Sequence, residues 1–185
     1  MSEIWIKNNH NRIREELLLG NNIDLISYNR PGTKRGGGIS IVYKCDNYKL
    51  EENKFKREGL EIVSAVGRVA GEKRMFVIYG LYLPPSLKKE RAKKAMDIIN
   101  ENISEMKAKF ESPAIIIGGD INQFDLSLAF TNHPDISIAQ SPPTRENARL
   151  DLIASNVQDS MKEAFVSSPL EGDNAQSDHK PLVCR

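Results

Sequence analysis

With 185 residues, 39% of them hydrophobic and 28% charged, the chain is long enough to bury a core as one domain and too apolar to remain disordered. A formal net charge of +1 excludes a strongly basic nucleic-acid coat protein, though it leaves room for a local basic groove. Only two cysteines are present, Cys45 and Cys184, with no CxxC pair, which argues against a disulfide framework or a structural zinc site and for a reducing, intracellular compartment. No run approaches the ~18 apolar residues of a membrane span, and no signal-peptide core opens the chain.

In chain order, Ser2-Glu3-Ile4-Trp5-Ile6-Lys7 is β-prone and apolar almost at once. A chain that starts inside a strand suggests sequence missing upstream. Residues 11–19 suit one or two helical turns stopped by Gly20, and 22–28 suit a short strand. The segment from Arg30 to Gly38 (RPGTKRGGG) is basic and glycine-rich and runs into a β-branched strand at 39–44. It lacks the spacing of a P-loop and no helix follows, so it reads as a loop with cations, Lys34 and Arg35, at its mouth.

Two β-rich runs, 61–70 and 74–83, flank Gly71-Glu72-Lys73 and predict an antiparallel hairpin that Pro84 and Pro85 terminate. Ser86 is placed to cap a helix whose apolar positions Ala92, Ala95, Ile99, Ile103, Met106 and Phe110 recur every three to four residues. Its other face, with Lys88, Lys89, Glu90, Lys93, Lys94, Glu101 and Lys107, reads as solvated. Ala114-Ile115-Ile116-Ile117-Gly118-Gly119 then reads as a buried central strand ending on two glycines. Asp120 and Asn122 follow, and at i and i+2 of an extended segment they would share a face. Residues 125–130 suit a helical turn, Ser141-Pro142-Pro143-Thr144-Arg145 a rigid loop, and 149–154 a further strand. Ser177-Asp178-His179 leads into a last short apolar strand. Tandem hairpins with few helices between them argue for an α/β sandwich of mixed sheets rather than a doubly wound fold.

The polar residues at the ends of these runs are Glu3, Tyr82, Asp120, Asn122, Asp151, Asp178 and His179. Singly each has a structural explanation, as a surface acid, an edge aromatic or a turn residue. Together, SEIW, RGGGI, YLPP, GDIN, PTR, RLDL and SDH in this order resemble the endonuclease/exonuclease/phosphatase family, most closely the endonuclease domain of non-LTR (LINE-type) retrotransposons, with apurinic/apyrimidinic endonucleases and DNase I as relatives. The likeness spans nearly the whole chain. GD-x-N with a downstream LD and a terminal SDH is the specific part, and Ile121 stands where that family usually has phenylalanine.

This resemblance implies a four-layer sandwich of two mixed β-sheets flanked by helices, formed by residues 1–185 as one domain that lacks the family's first strand. It implies a Mg²⁺-dependent endonuclease that nicks DNA and leaves a 3′-hydroxyl, with Mn²⁺ as a possible substitute metal. By motif, Glu3 and Asp178 would bind the metal. His179, oriented by Asp151, would face the scissile phosphate. Asp120 would position or deprotonate water, Asn122 would hold phosphate or water, and Tyr82 would hydrogen-bond phosphate or leaving oxygen. Whether Asp120 or His179 takes the proton stays open. Arg35, Thr144, Arg145 and Ser177 would contact DNA. Expected partners are DNA and, in a full-length element, a linked reverse transcriptase, in a monomer acting in the nucleus without a membrane. The alternatives are a phosphatase of the same fold acting on inositol or lipid phosphates, a deadenylase, or a decayed relative that binds nucleic acid without cutting it.

Overall fold

The computed structural model describes residues 22–28, 38–122, 124–125, 129–157 and the two short strands at 164–166 and 182–184. Its centre is a six-stranded sheet built around the predicted hairpin. Strand β1 spans Ile23–Tyr28, β2 Ile39–Lys44, β3 Tyr48–Glu52, β4 Glu61–Val69 and β5 Met75–Tyr82. After helix α1, Lys89–Lys109, come β6 at Ala114–Asp120, β7 at Ser137–Ile138, β8 at Asp151–Ser155, β9 at Ala164–Val166 and β10 at Leu182–Cys184. The large sheet runs in the order β3-β4-β5-β6-β8-β7. The β5–β6 pair is parallel and its other pairs are antiparallel, so the sheet is mixed as expected. A 21-residue helix is the crossover that a parallel pair requires.

Strand alternation divides the core in two. Val77, Tyr79 and Leu81 of β5, Ile115 and Ile117 of β6, and Leu152 and Ala154 of β8 pack with Ala92, Ala95, Ile99, Ile103 and Met106 of α1. On the opposite face, Val63 and Ala65 of β4 meet Ile39 and Ile41 of β2, with Ile26 and Tyr28 of β1 beside them. The antiparallel β1–β2 pair thus lies as a second sheet over β4 and β5, while the antiparallel β9–β10 pair lies alongside β8. The result is an α/β sandwich with the helix outside. The described residues supply three layers, and the helix expected at 11–19 lies outside them. No described helix is long and apolar enough to cross a membrane.

A buried polar cluster ties the β3–β4 loop to α1. Asn53 Nδ2 (2.7 Å) and the Tyr79 hydroxyl (2.8 Å) both donate to Asn102 Oδ1, and Asn102 Nδ2 reaches Glu105 Oε2 at 2.9 Å. Burial pushes the Tyr79 phenol well above its usual value, with Glu105 adding to the shift.

Several expectations change in detail. Lys88, not Ser86, precedes α1, and it makes no side-chain cap bond; the turn that seats Leu87 N on Pro84 O places Ser86 too early to cap. Strand β3 was not legible because only Leu50 of Tyr48–Glu52 is buried, so no period-2 pattern forms. The three-residue β9 and two-residue β7 are too short for any pattern. The strand expected at 149–154 is shifted to Asp151–Ser155.

Candidate active site

The register of the large sheet aligns one polar row. Glu61 of β4 is opposite Tyr82 of β5, Tyr82 is opposite Asp120 of β6, and Asp120 is opposite Asp151 of β8. Side chains alternate along each strand, and Leu81, Ile117 and Leu152 point to the helix. Tyr82, Asp120 and Asp151 therefore share the face turned away from α1. All three are partly buried, at the carboxyl ends of the parallel pair β5–β6. That end of a parallel pair is where α/β sheets bind ligands.

Close packing of the backbone builds this end. A Cβ on Gly119 would lie 1.9 Å from Leu81 O, so only glycine lets β5 and β6 approach here. The strands then close on one another: Leu83 N donates to Asp120 O at 2.8 Å, and Ile121 N to Leu150 O at 2.8 Å. Asn122 does not continue the strand. It takes a left-handed φ of 48°, which asparagine tolerates, so sharing a face at i and i+2 is not what unites it with Asp120. Instead the Asn122 N–H donates to Asp120 Oδ1 (2.9 Å), and its Nδ2 donates to Leu83 O (2.8 Å). The carboxamide is thereby fixed between the ends of β5 and β6.

Thr144 is fully buried. Its hydroxyl accepts the N–H groups of Leu150 (3.1 Å) and Asp151 (3.3 Å). The hydroxyl expected on a DNA phosphate thus faces inward and sets the start of β8, where Asp151 stands. Arg145, next in sequence, is exposed in the tight 145–148 turn, where Ala148 N donates to Arg145 O at 2.8 Å.

Of the residues expected at the site, Tyr82, Asp120, Asn122 and Asp151 come together, with Thr144 behind them. Glu3, Arg35, Ser177, Asp178 and His179 lie outside the described residues. Glu61 was not anticipated. It is buried, and its carboxylate accepts the Gly38 N–H at 2.5 Å, where the glycine-rich segment enters β2. The signal was present: Glu61 and Tyr82 are symmetric about the Gly71–Glu72 turn, so hairpin register alone pairs them. No three His, Cys, Asp or Glu side chains among the described residues group closely enough to hold a metal ion. The described carboxylates do not make a metal site by themselves.

No family profile matches the sequence, and no curated protein aligns with it significantly. Solved structures do match. An endonuclease/exonuclease/phosphatase family protein from Bacteroides thetaiotaomicron superposes with a TM-score of 0.63 at 16% identity, over 93% of this chain and 77% of that one. The fold is that of the endonuclease/exonuclease/phosphatase proteins. Zebrafish (D. rerio) TDP2 in complex with a single-strand DNA product matches with a TM-score of 0.64 at 13% identity, covering 97% of this chain and 82% of its own. A mannosyl-6-phosphatase from B. thetaiotaomicron matches with a TM-score of 0.61 at 15% identity, over 93% and 79% of the two chains. Identities this low carry the endonuclease/exonuclease/phosphatase fold and leave the substrate to the chemistry of the site.

Proposed function

We propose that the chain is a divalent-metal-dependent phosphodiesterase that nicks DNA, the endonuclease of a non-LTR retrotransposon. The observation that carries this reading is the in-register row Tyr82–Asp120–Asp151 at the carboxyl ends of β5 and β6. Two carboxylates and a phenol along one rim supply a proton acceptor for the attacking water and a donor for the oxygen displaced on the far side of the phosphorus. Hydrolysis of a phosphodiester needs both, because the attacking water loses a proton while charge builds on the leaving oxygen.

In this reading Asp120 holds the attacking water and draws its proton, steadied by the Asn122 N–H on Oδ1. The Asn122 carboxamide, held by Leu83 O, presents Oδ1 to the same water. The Tyr82 hydroxyl donates to a non-bridging or leaving oxygen. Asp151 accepts a hydrogen bond from the His179 imidazole and orients it toward the phosphate. Glu3 and Asp178 would hold Mg²⁺ or Mn²⁺ through oxygen, and the ion would supply charge stabilisation at the phosphate. Arg145 and Arg35 would neutralise flanking phosphates.

The similarity to TDP2 bound to a DNA product supports a nucleic-acid substrate, and the similarity to a sugar phosphatase keeps phosphomonoester hydrolysis as the second reading. A substrate panel separates them: supercoiled plasmid, a phosphoinositide and a sugar phosphate, each with Mg²⁺ and with EDTA. The proposal expects Mg²⁺-dependent conversion of plasmid to open circle and little phosphate release. Phosphate release without nicking would replace it with the phosphatase reading.

A further inference from the structure

The β3–β4 loop and the segment leading into α1 both leave the large sheet at the end where Glu61 faces Tyr82. They touch one another: Arg91 Nη2 donates to Glu58 O at 3.2 Å, and Lys94 forms an ion pair with the Glu58 carboxylate. Residues 53–60 and 84–94 hold eight lysines and arginines against two glutamates, a local charge of +6 in a chain whose total is +1. One of the eight is tied into the fold. Arg57 lies over the rings of Tyr28 (5.2 Å) and Phe55 (5.6 Å) and bonds Glu52 at 2.5 Å. The others are exposed, with Lys56 at 88% and Lys94 at 54%. Lys94, by hydrogen bonding, holds the Glu58 carboxyl below its ordinary value, and the charges of Lys56 and Arg91 add to this. Among the described residues Glu58 is thus shared by three cations, and no ion pair forms at Lys54, Lys88 or Lys89.

Helix stability does not account for this cluster. Cations at a helix N-terminus oppose the macrodipole, yet Lys88, Lys89, Arg91, Lys93 and Lys94 crowd the start of α1, with Glu90 the one acid in its first turn. The later part of the helix has the ordinary mixed surface of Asp97, Glu101, Glu105, Lys107 and Lys109. A solvated outer face, as the sequence pattern suggested, carries both signs along its length, whereas this end is almost entirely cationic.

We infer that the rim formed by Lys54, Lys56, Lys88, Lys89 and Arg91 is a track for the phosphate backbone of a polynucleotide whose cleaved ester lies at the Tyr82–Asp120–Asp151 row. The inference rests on the phosphodiesterase reading and adds where the rest of the polymer lies. Strand β4, from which the loop emerges, is two strands from β6, or about 10 Å along the rim. At about 3.4 Å of helix axis per phosphate on each strand, a DNA duplex passes about three base pairs over that distance, which a small phosphate ester does not reach.

The test is fluorescence anisotropy with labelled oligonucleotides of a few and of about fifteen nucleotides, across a salt series. It compares the native chain with K54A/K88A/K89A, whose folding is checked by circular dichroism and thermal melting. The expected result for the variant is a Kd raised about tenfold or more on the longer oligonucleotide, and a log–log salt slope shallower by about 2–3. Hydrolysis of bis(p-nitrophenyl) phosphate is expected to be unchanged. Equal Kd and slope for both proteins would overturn the inference while leaving the activity standing. Equally strong lysine-dependent binding of phosphatidylserine vesicles or polyglutamate would overturn the assignment to nucleic acid. Lysine-dependent DNA binding by a native chain that hydrolyses neither plasmid nor the small diester would uphold the track and defeat the phosphodiesterase reading.

Discussion

At the scale of single residues, the proposed function separates groups that would face a ligand from groups that place them. On that proposal Asp120 is in the first class. Asp120→Asn keeps the acceptor for the Asn122 N–H but removes the base, so turnover should fall roughly 10²–10⁴-fold in a nicking assay with melting temperature little changed. Thr144 is in the second. Thr144→Val leaves the buried N–H groups of Leu150 and Asp151 without their acceptor and should cost about 1–3 kcal/mol by urea denaturation, whereas Thr144→Ser should restore most of that. The motif PTR marked Thr144 as important but could not tell a phosphate contact from an inward hydroxyl, because burial depends on the whole loop. Asn122 is similar. Its nearness to Asp120 was legible, yet the cause is a left-handed turn and a backbone hydrogen bond rather than strand alternation.

At the scale of elements, apolar periodicity carried most of the information. The central strand, the hairpin and the buried stripe of α1 were readable because each presents a long pattern to a core. Ile117, wholly buried between β6 and α1, should cost about 2–5 kcal/mol when cut to alanine, while Val42→Ala, at a position 49% exposed, should stay within about 0.5 kcal/mol. Where pattern was short or solvated, as in β3, β7 and β9, the sequence carried no signal. Glycine chemistry was legible in kind and became specific only with β5 in place. Gly119→Ala would drive a methyl group into Leu81 O, so loss of soluble protein, or destabilisation of at least about 3 kcal/mol, is expected on expression and melting.

At the scale of the whole molecule, charge distribution matters more than total charge. The near-neutral sum conceals a basic rim beside the candidate site and a compensating acidic remainder, and only the fold shows that two basic segments on either side of the β4–β5 hairpin share an end of the sheet. Electrostatics also sets an acid limit. Lys107 donates to both Asp135 oxygens, at 2.6 and 2.8 Å. Burial alone would raise the Asp135 pKa, but the Lys107 hydrogen bonds and charge outweigh it and hold the carboxyl below its ordinary value. A folded pKa below the unfolded one gives stability that is complete above the unfolded value, near 3.9, and is lost as pH falls through the folded one. Lys107→Met should therefore flatten the pH dependence of melting below about pH 4, modestly, because both partners are partly exposed.

The central claim is that Tyr82, Asp120 and Asp151 form one phosphodiester-cleaving site. It is tested most directly by a double-mutant cycle on plasmid nicking with Asp120→Asn, Asp151→Asn and the pair. Residues that act as a unit give strongly non-additive losses, so the account predicts a double variant little slower than the worse single one. Losses that simply multiply, or a native chain that does not nick with Mg²⁺, would contradict it.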